Sequence, residues 1–435
     1  MFPLLLCGTM ANPPRAGALQ LLKSLERGLR GAEIEAYQHQ RLVDIARYAR
    51  ATTHYYKAGL DAFLSRKTFD RASWSKVPIL TREAVRAHRQ GLMVSPQAMP
   101  PDAGPVRSST TSGTSGEPLE FRINRLADIF SQIKYRAYFT DWDIKVTERV
   151  LTARTPKTHE LASAGQLVRK PVPGGGEECT IFSLAIDKVL EAAASVRPNY
   201  LRTYPGVALQ CAIEARRRNL ELTFDRIMTV GETLDADTQS FVEQAFSCRV
   251  ADAYATTEFG LVASGCPRCG NYHVSHEGLF VELLDEMGEP VGNGASGRVV
   301  VTSLYGYAMP LIRYELSDFA IRVAGSRSCK DRGLTIGRIM GRRRGMFRLP
   351  SGGLIWPYIP ASALHELGVT GYQVTQLTQS EVRVRYASVV GLQSDVLVEL
   401  VRRFISPDYI VAVEHVAELP SAPSGKRQVF ESLVP

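Results

Sequence analysis

Residues 110–118 read TTSGTSGEP, and no packed element can be built from them. Five of the nine carry a hydroxyl, two are glycine, and nothing apolar is present to bury. Glycine lets a backbone adopt positive φ and approach a ligand closely. Serine and threonine hydroxyls donate to phosphate oxygens, and successive backbone N–H groups of a loop form an anion-binding nest. The stretch therefore reads as a phosphate cradle, or, on composition alone, as an exposed flexible linker. It is not a Walker loop, because G-x-x-x-x-G-K-[ST] is missing.

The surrounding pattern supplies a frame. Apolar residues recur at helical spacing over residues 17–60, through Leu19, Leu22, Leu25, Ile34, Tyr37, Leu42 and Ile45. WSKVPILTREAV (74–85) follows, with Thr81 an expected N-cap and Glu83 favourable in the first helical turn. A helix is expected from about Arg125 to Phe139. RVLTART (149–155), YLRTY (200–204), RIMTVGE (226–232) and CRVADAYA (248–255) are predicted strands. Helical patterns near 206–218 and 234–246 separate the last three, which suggests parallel βαβ units. A denser β pattern runs over 278–324. After Gly341 the chain becomes basic and rich in Gly and Pro, as a hinge would be, and then alternates strand and helix to its end.

The chain has 435 residues, 45% hydrophobic and 22% charged, enough for two or three domains with large cores. Formal net charge is +8, which reads as a mildly basic surface or as attraction to an anionic ligand such as a nucleotide, coenzyme A or an acidic carrier domain. No basic run interleaved with aromatics points to nucleic acid. No apolar run is long enough to span a membrane, so no membrane partner is expected. The start, MFPLLLCGTM, lacks the basic region of a secretory signal, and Met10 is an alternative start. Seven cysteines at 7, 179, 211, 248, 266, 269 and 329 have no regular spacing. That argues against a disulfide framework and for the cytoplasm.

The order of short motifs carries a resemblance. TTSGTSGEP (110–118) resembles the phosphate loop of the adenylate-forming superfamily: acyl-CoA synthetases, peptide-synthetase adenylation domains and luciferases. Downstream, YATTEFG (254–260) resembles the aromatic-x-x-Thr-Glu motif and RYELSD (313–318) the Tyr-x-x-x-Asp motif. GRRRGM (341–346) stands where Gly-Arg-x-Asp-Asp is usual, and PSGKRQ (423–428) resembles the C-terminal Gly-Lys motif. WSKVPILTREAV, TYPGVALQ, YAMPLIRYELSD and IGRIMGR look most like the phenylacetate–coenzyme A ligase branch.

The resemblance implies an α/β fold. A large N-terminal domain (1–342) of β-sheets flanked by helices would include a β-rich subdomain at about 278–340. A small mobile α+β C-terminal domain (343–435) would carry the catalytic lysine. It implies ATP-dependent activation of a carboxylic acid, of the aryl class, as acyl-AMP with release of pyrophosphate. The acyl group would then pass to the thiol of coenzyme A. Transfer to an amine, a hydroxyl or a carrier-protein thiol is an alternative, as is a degenerate nucleotide-binding protein. A homodimer is also compatible.

Site roles follow from the same resemblance. Thr110, Thr111, Ser112, Thr114 and Ser115 would hold phosphates, with Gly113 and Gly116 allowing close approach. Glu258 would ligate Mg²⁺, and Thr257 would contact the α-phosphate. Tyr254 would stack on adenine or line the acyl pocket, and Gly231 and Glu232 would contact adenine largely through backbone. Asp318 would accept from the ribose hydroxyls, with Arg342 a second contact. Lys426 would bridge the attacking carboxylate and the α-phosphate. Tyr138, Tyr204, Ala255 and Thr256 would shape the acyl pocket. Two positions depart from the pattern: Leu119 where a lysine commonly ends the phosphate loop, and Arg344 at the hinge where Asp or Lys is usual.

CPRCGNYH (266–273) contains C-x-x-C followed by histidine, and Cys329 lies beyond the β-rich segment. Tetrahedral zinc takes four N/S ligands, which Cys266, Cys269, His273 and Cys329 would supply. His276 is an alternative to His273. Some members of the branch carry a structural zinc between the same regions, and Asp331 stands where they have a further cysteine.

Overall fold

The computed structural model describes residues 32–111, 118–172, 174–326, 329, 333–388, 391–392, 394–417, 419 and 428–434. The chain divides into two compact units. The first comprises residues up to Ile144 and Ala253–Met340, and the second Lys145–Asp252 and Gly341–Pro435.

The first unit opens with helix Ala32–Thr52, which buries Leu42, Val43, Ile45, Ala46 and Ala49 along one face. The expected helix over 17–60 is therefore shorter at its C-terminal end. It stops where Thr52 and Thr53 turn their hydroxyls back onto the carbonyls of Tyr48 and Ala49. A single tight turn at Tyr55–Lys57 follows. Thr81 caps helix Arg82–Leu92 as expected, its Oγ1 accepting from Ala84 N at 3.2 Å. Just before that cap, Leu80 is stitched to strand Tyr314–Val323. Leu80 N donates to Arg313 O at 2.9 Å, and Glu315 N donates to Leu80 O at 3.0 Å.

Strands Val106–Thr110 and Glu120–Asn124 pair antiparallel, Thr110 opposite Glu120. Helix Arg125–Asp141 follows directly. In the β-rich part, antiparallel pairs join Leu279–Leu284 with Ser296–Ser303, Ser296–Ser303 with Tyr314–Val323, and Tyr272–Val274 with both Gly260–Gly265 and Thr335–Arg342. Its core is built from Val262, Val299, Val301, Ile312, Ala320 and Ile336, closed by Trp74 and Phe121.

In the second unit, strands Tyr200–Thr203 and Arg226–Val230 pair in parallel, as the βαβ spacing predicts, and Arg149–Ala153 also adds in parallel to Tyr200–Thr203. Helices Ile186–Val196, Pro205–Arg217 and Ala236–Phe246 pack their apolar faces into the same core. Beyond Gly341, strands Val369–Gln376 and Glu381–Ser388 pair antiparallel, and Ile410–His415 and Phe430–Ser432 add in parallel on either side. Phe347, Val374, Val382, Leu397 and Val401 form a separate small core there. Ser362 N and Oγ donate to the Asp237 carboxylate at 2.9 and 3.2 Å. No helix among the described residues is long and apolar enough to cross a membrane.

Candidate active site

Two hairpins and one irregular strand bring the motif residues of the first unit together. The first hairpin ends at Thr111, whose N donates to Leu119 O at 3.0 Å while its Oγ1 accepts from Leu119 N at 3.0 Å. Residues 112–117, which include Ser112, Gly113, Thr114, Ser115 and Gly116, link these two closing residues and lie outside the described residues. Thr110 and Thr111 thus stand at the base of the hydroxyl-rich link. Leu119, which departs from the lysine that commonly ends such a loop, is 4% exposed and belongs to the core.

The second hairpin joins strand Arg249–Thr256 to Gly260–Gly265 through Thr257, Glu258 and Phe259. A three-residue connection of this kind requires a left-handed residue at its exit, and Gly260 supplies it with φ +70°. A side chain there is excluded a second way. A Cβ on Gly260 would lie 2.2 Å from Ser131 Oγ, which itself accepts from Leu261 N at 3.1 Å. Helix Arg125–Asp141 therefore sets the depth of the turn that presents Thr257 and Glu258.

The third contributor is strand Tyr314–Val323. Its register against Ser296–Ser303 shifts between Arg298 and Val300, so that Phe319 opposes Arg298 and Glu315 opposes Val300. The extra residues bulge, with Ser317 at φ 61°. Bulges re-aim side chains, and this one turns Asp318 toward the second hairpin. Tyr254 Oη donates to Asp318 Oδ2 at 2.7 Å.

Charge ties these pieces together. Burial raises the Glu258 carboxyl above the ordinary carboxylate range. The Arg82 guanidinium opposes that shift, and the Asp318 charge adds to it. Burial likewise pushes up the Tyr314 phenol, with Glu258 adding and Arg82 opposing through charge and a hydrogen bond. Arg82 Nη2 also donates to Thr111 Oγ1 at 3.0 Å. Thr256 Oγ1 accepts from Phe259 N at 3.2 Å, bracing the turn.

The other expected residues are distributed as follows. Ala255 and Thr256 end the strand that leads to Glu258. Tyr138 is 3% exposed and packs against the rings of Tyr135 and Phe139. A cavity beside Glu258 is lined by Ile123, Ala127, Phe130 and Ser131, from earlier turns of that helix and the strand before it. Gly231, Glu232, Tyr204 and Arg342 belong to the second unit. Gly231 follows strand Arg226–Val230 with φ 88°. Glu232 Oε2 accepts from Gly206 N at 3.0 Å, at the start of helix Pro205–Arg217. Tyr204 precedes that helix, its phenol pushed up by burial and by the Glu232 charge. Arg342 is exposed at the end of Thr335–Arg342, and burial lowers the guanidinium pKa of Arg344, with Arg342 adding. Lys426 lies outside the described residues, shortly before strand Phe430–Ser432.

Cys266, Cys269, His273 and Cys329 come together, their ligand atoms all within 4.8 Å of one another. Cys266 Sγ lies 3.6 Å from Cys329 Sγ, and Cys269 Sγ lies 3.5 Å from His273 Nε2. The C-x-x-C turn is closed by Cys266 N to Asn271 O at 2.8 Å and Gly270 N to Cys266 O at 2.9 Å. His273 is held on a strand paired on both sides. His276 is not in this cluster. Its ring packs on Gly333, where a Cβ would lie 3.0 Å away. Arg268, which sequence reasoning missed, hydrogen-bonds Cys329 and lies 3.6 Å from Asp141. Arg82 and Ser131 were missed as well. For Arg82 one signal existed: a cation directly after an N-cap opposes the helix dipole.

No family model matches the chain. Phenylacetate–coenzyme A ligase of Thermus thermophilus is 26% identical over 192 residues, 42% of this chain. The match spans only 41% of that relative's length. Among solved structures, 2-hydroxyisobutyryl-CoA ligase in the postadenylation state, in complex with R3-HIB-AMP, superposes with a TM-score of 0.68 at 16% identity. That match covers 94% of this chain and 90% of the other. An anthranilate CoA ligase in complex with anthranoyl-AMP superposes with a TM-score of 0.53 at 16% identity, over 73% of this chain and 65% of the other. The chain therefore has the adenylate-forming ligase fold, with a phenylacetate–coenzyme A ligase among its sequence relatives.

Proposed function

We propose that the protein is an ATP-dependent acid–thiol ligase that activates a carboxylic acid, of the aryl class, as acyl-AMP and passes the acyl group to coenzyme A. The observation that carries this reading is the convergence of three separated motifs in one unit. Thr111, Glu258 and Asp318 are linked through Arg82 and Tyr254 by two hydrogen bonds and a shared electrostatic field. A hydroxyl-rich segment, a carboxylate and a second carboxylate at a bulge suit triphosphate, metal and ribose respectively.

In this reading Thr110 and Thr111, with the hydroxyls of 112–115, donate to phosphate oxygens. Asp318, already accepting from Tyr254, accepts from ribose as well, which a carboxylate can do with both oxygens. Thr257 stands next to Glu258 in the same turn and donates to the α-phosphate. Magnesium held by Glu258 would neutralise phosphate charge. Lys426 brings positive charge to the bond being formed, where two anions meet. The small domain at 343–435 carries it on a mobile body with its own core, and motion of that body must release Ser362 from Asp237. The free thiols of the described residues support a cytoplasmic setting.

The four-residue cluster is read as a structural zinc centre. Zinc–sulfur bonds of about 2.3 Å in a tetrahedron imply ligand separations of about 3.8 Å, close to the 3.6 and 3.5 Å observed here. Three thiols and one imidazole are the donors such a site takes. All four ligands are protein groups, so no open position is left for catalysis.

The test is ATP–pyrophosphate exchange across a panel of carboxylic acids, followed by thioester formation with and without coenzyme A. Exchange with at least one aryl acid and a coenzyme A-dependent product are expected. No exchange with any acid would overturn the reading.

A further inference from the structure

In the family pattern a lysine ends the phosphate loop; here the position is Leu119, and its side chain is committed to the core. A cation nevertheless reaches the base of the same hairpin. Arg82 Nη2 lies 3.0 Å from Thr111 Oγ1, the hydroxyl that also closes the hairpin onto Leu119 N. The guanidinium acts on Glu258 through its charge and bonds the Tyr314 hydroxyl. It is therefore bonded to Thr111, one of the proposed phosphate contacts, and acts electrostatically on Glu258, the proposed metal ligand.

Three features separate it from an ordinary surface arginine. It occupies the first residue of helix Arg82–Leu92, where the helix dipole opposes positive charge. It is fixed there from behind, because Leu80 is hydrogen-bonded on both sides to strand Tyr314–Val323 and Thr81 caps the helix. And among the described residues its Nε is buried without a hydrogen-bond partner. A buried donor with no acceptor is costly, and a guanidinium has five donors arranged to suit an oxyanion.

Resting on the function proposed above, we infer that Arg82 binds the β- or γ-phosphate of the nucleoside triphosphate, supplying from the N-terminus of its helix the positive charge that Leu119 lacks. The arginine discriminates triphosphate from monophosphate. Nucleotide recognition through Asp318 is independent of it.

The test compares dissociation constants for ATP and AMP, by calorimetry on the full chain with magnesium, in wild type, Arg82→Met and Arg82→Lys. Loss of a charged hydrogen bond to phosphate weakens ATP binding by about 10- to 100-fold, and AMP binding is expected to change by less than about twofold. Arg82→Lys should recover part of the ATP affinity. Thr111→Val, which removes the hydroxyl but keeps the cation, should weaken ATP less than Arg82→Met does. An equal loss for ATP and AMP in Arg82→Met, or no loss for either, overturns the inference while leaving the ligase reading intact. A wild-type chain that binds neither nucleotide overturns both. Melting curves of each variant identify a folding defect, and if Arg82→Met is unfolded, Arg82→Gln, which also removes the charge, takes its place: an unchanged ATP-to-AMP ratio in it overturns the inference.

Discussion

Tyr254 donates its hydroxyl to Asp318 at 2.7 Å, joining two motifs that lie 64 residues apart. A phenol that donates to a carboxylate fixes both the rotamer of the acid and the oxygen left toward a ligand. The bulge at Ser317 turns the acid out of the strand, and the tyrosine holds it there.

Asp318→Asn keeps the shape and removes the charge. In ATP–pyrophosphate exchange it should raise the KM for ATP by about 10- to 100-fold, the worth of charged hydrogen bonds. Tyr254→Phe leaves Asp318 in place but less constrained, so a smaller rise of about 3- to 10-fold is expected. If Tyr254→Phe were the more damaging of the two, the tyrosine would be acting through its own contact with substrate rather than through Asp318.

Glu258 gives a prediction in which activity and stability move in opposite directions. Burial raises its carboxyl above the ordinary range, with Asp318 adding and Arg82 opposing. The native protein then holds a proton over a pH interval in which the unfolded chain has released it. Stability falls as pH rises through the native pKa. Glu258→Gln removes that cost. It should melt higher than wild type at neutral pH, and the gain should vanish well below pH 4.5, the unperturbed value. Adenylation should fall by about 10²- to 10³-fold, and added magnesium should not restore it. A variant that is inactive and also less stable at neutral pH would contradict the assignment of a strained, functional carboxylate.

Much of this was legible in the sequence, for reasons particular to each element. Thr81 announced its helix because a cap is a local event. The parallel pairing of the strands at 200–203 and 226–230 followed from the helix between them. The helix end at Thr52 was missed because apolar periodicity continues through Tyr56 and Leu60, which pack into the same core from a turn. Arg82 was missed because its neighbours are set by Leu80 pairing with a strand far along the chain. Ser131 was missed because the glycine it approaches also lies far along the chain. His273 could not be separated from His276 by spacing. The sheet decides it, pairing His273 with Ser264 and Thr335 while His276 packs on Gly333.

The Gly260–Ser131 approach makes a steric prediction. Gly260→Ala introduces a Cβ 2.2 Å from Ser131 Oγ at a φ of +70°. Left-handed strain of about 1–2 kcal/mol and overpacking of about 1–3 kcal/mol both apply, so a loss of about 2–5 kcal/mol in unfolding free energy is expected. Removing the hydroxyl in Gly260→Ala with Ser131→Ala should recover part of the overpacking and none of the strain. Chemical denaturation of the two single variants and the double variant measures the coupling. Additive losses would mean that the turn moves away from the helix instead of colliding with it.

Zinc binding makes the last prediction. The Cys269 thiol is pushed up to about 12 by burial, and the neighbouring thiols add to the shift. It is therefore protonated at neutral pH until a metal displaces the proton. Titration of zinc into metal-free protein should release at least one proton per site, seen as a heat that changes with the ionisation enthalpy of the buffer. Purified wild-type chain should contain about one zinc per molecule by the ligand count, and Cys329→Ser should lose most of it. Because the cluster pins the turn at 266–271 and the loop carrying Cys329 to the sheet that supports Glu258, chelation should lower the melting temperature. His276→Asn should retain zinc and His273→Asn should not. Zinc loss in His276→Asn but not in His273→Asn would reassign the fourth ligand, and a metal-free wild type with unchanged melting on zinc addition would reduce the cluster to buried thiols.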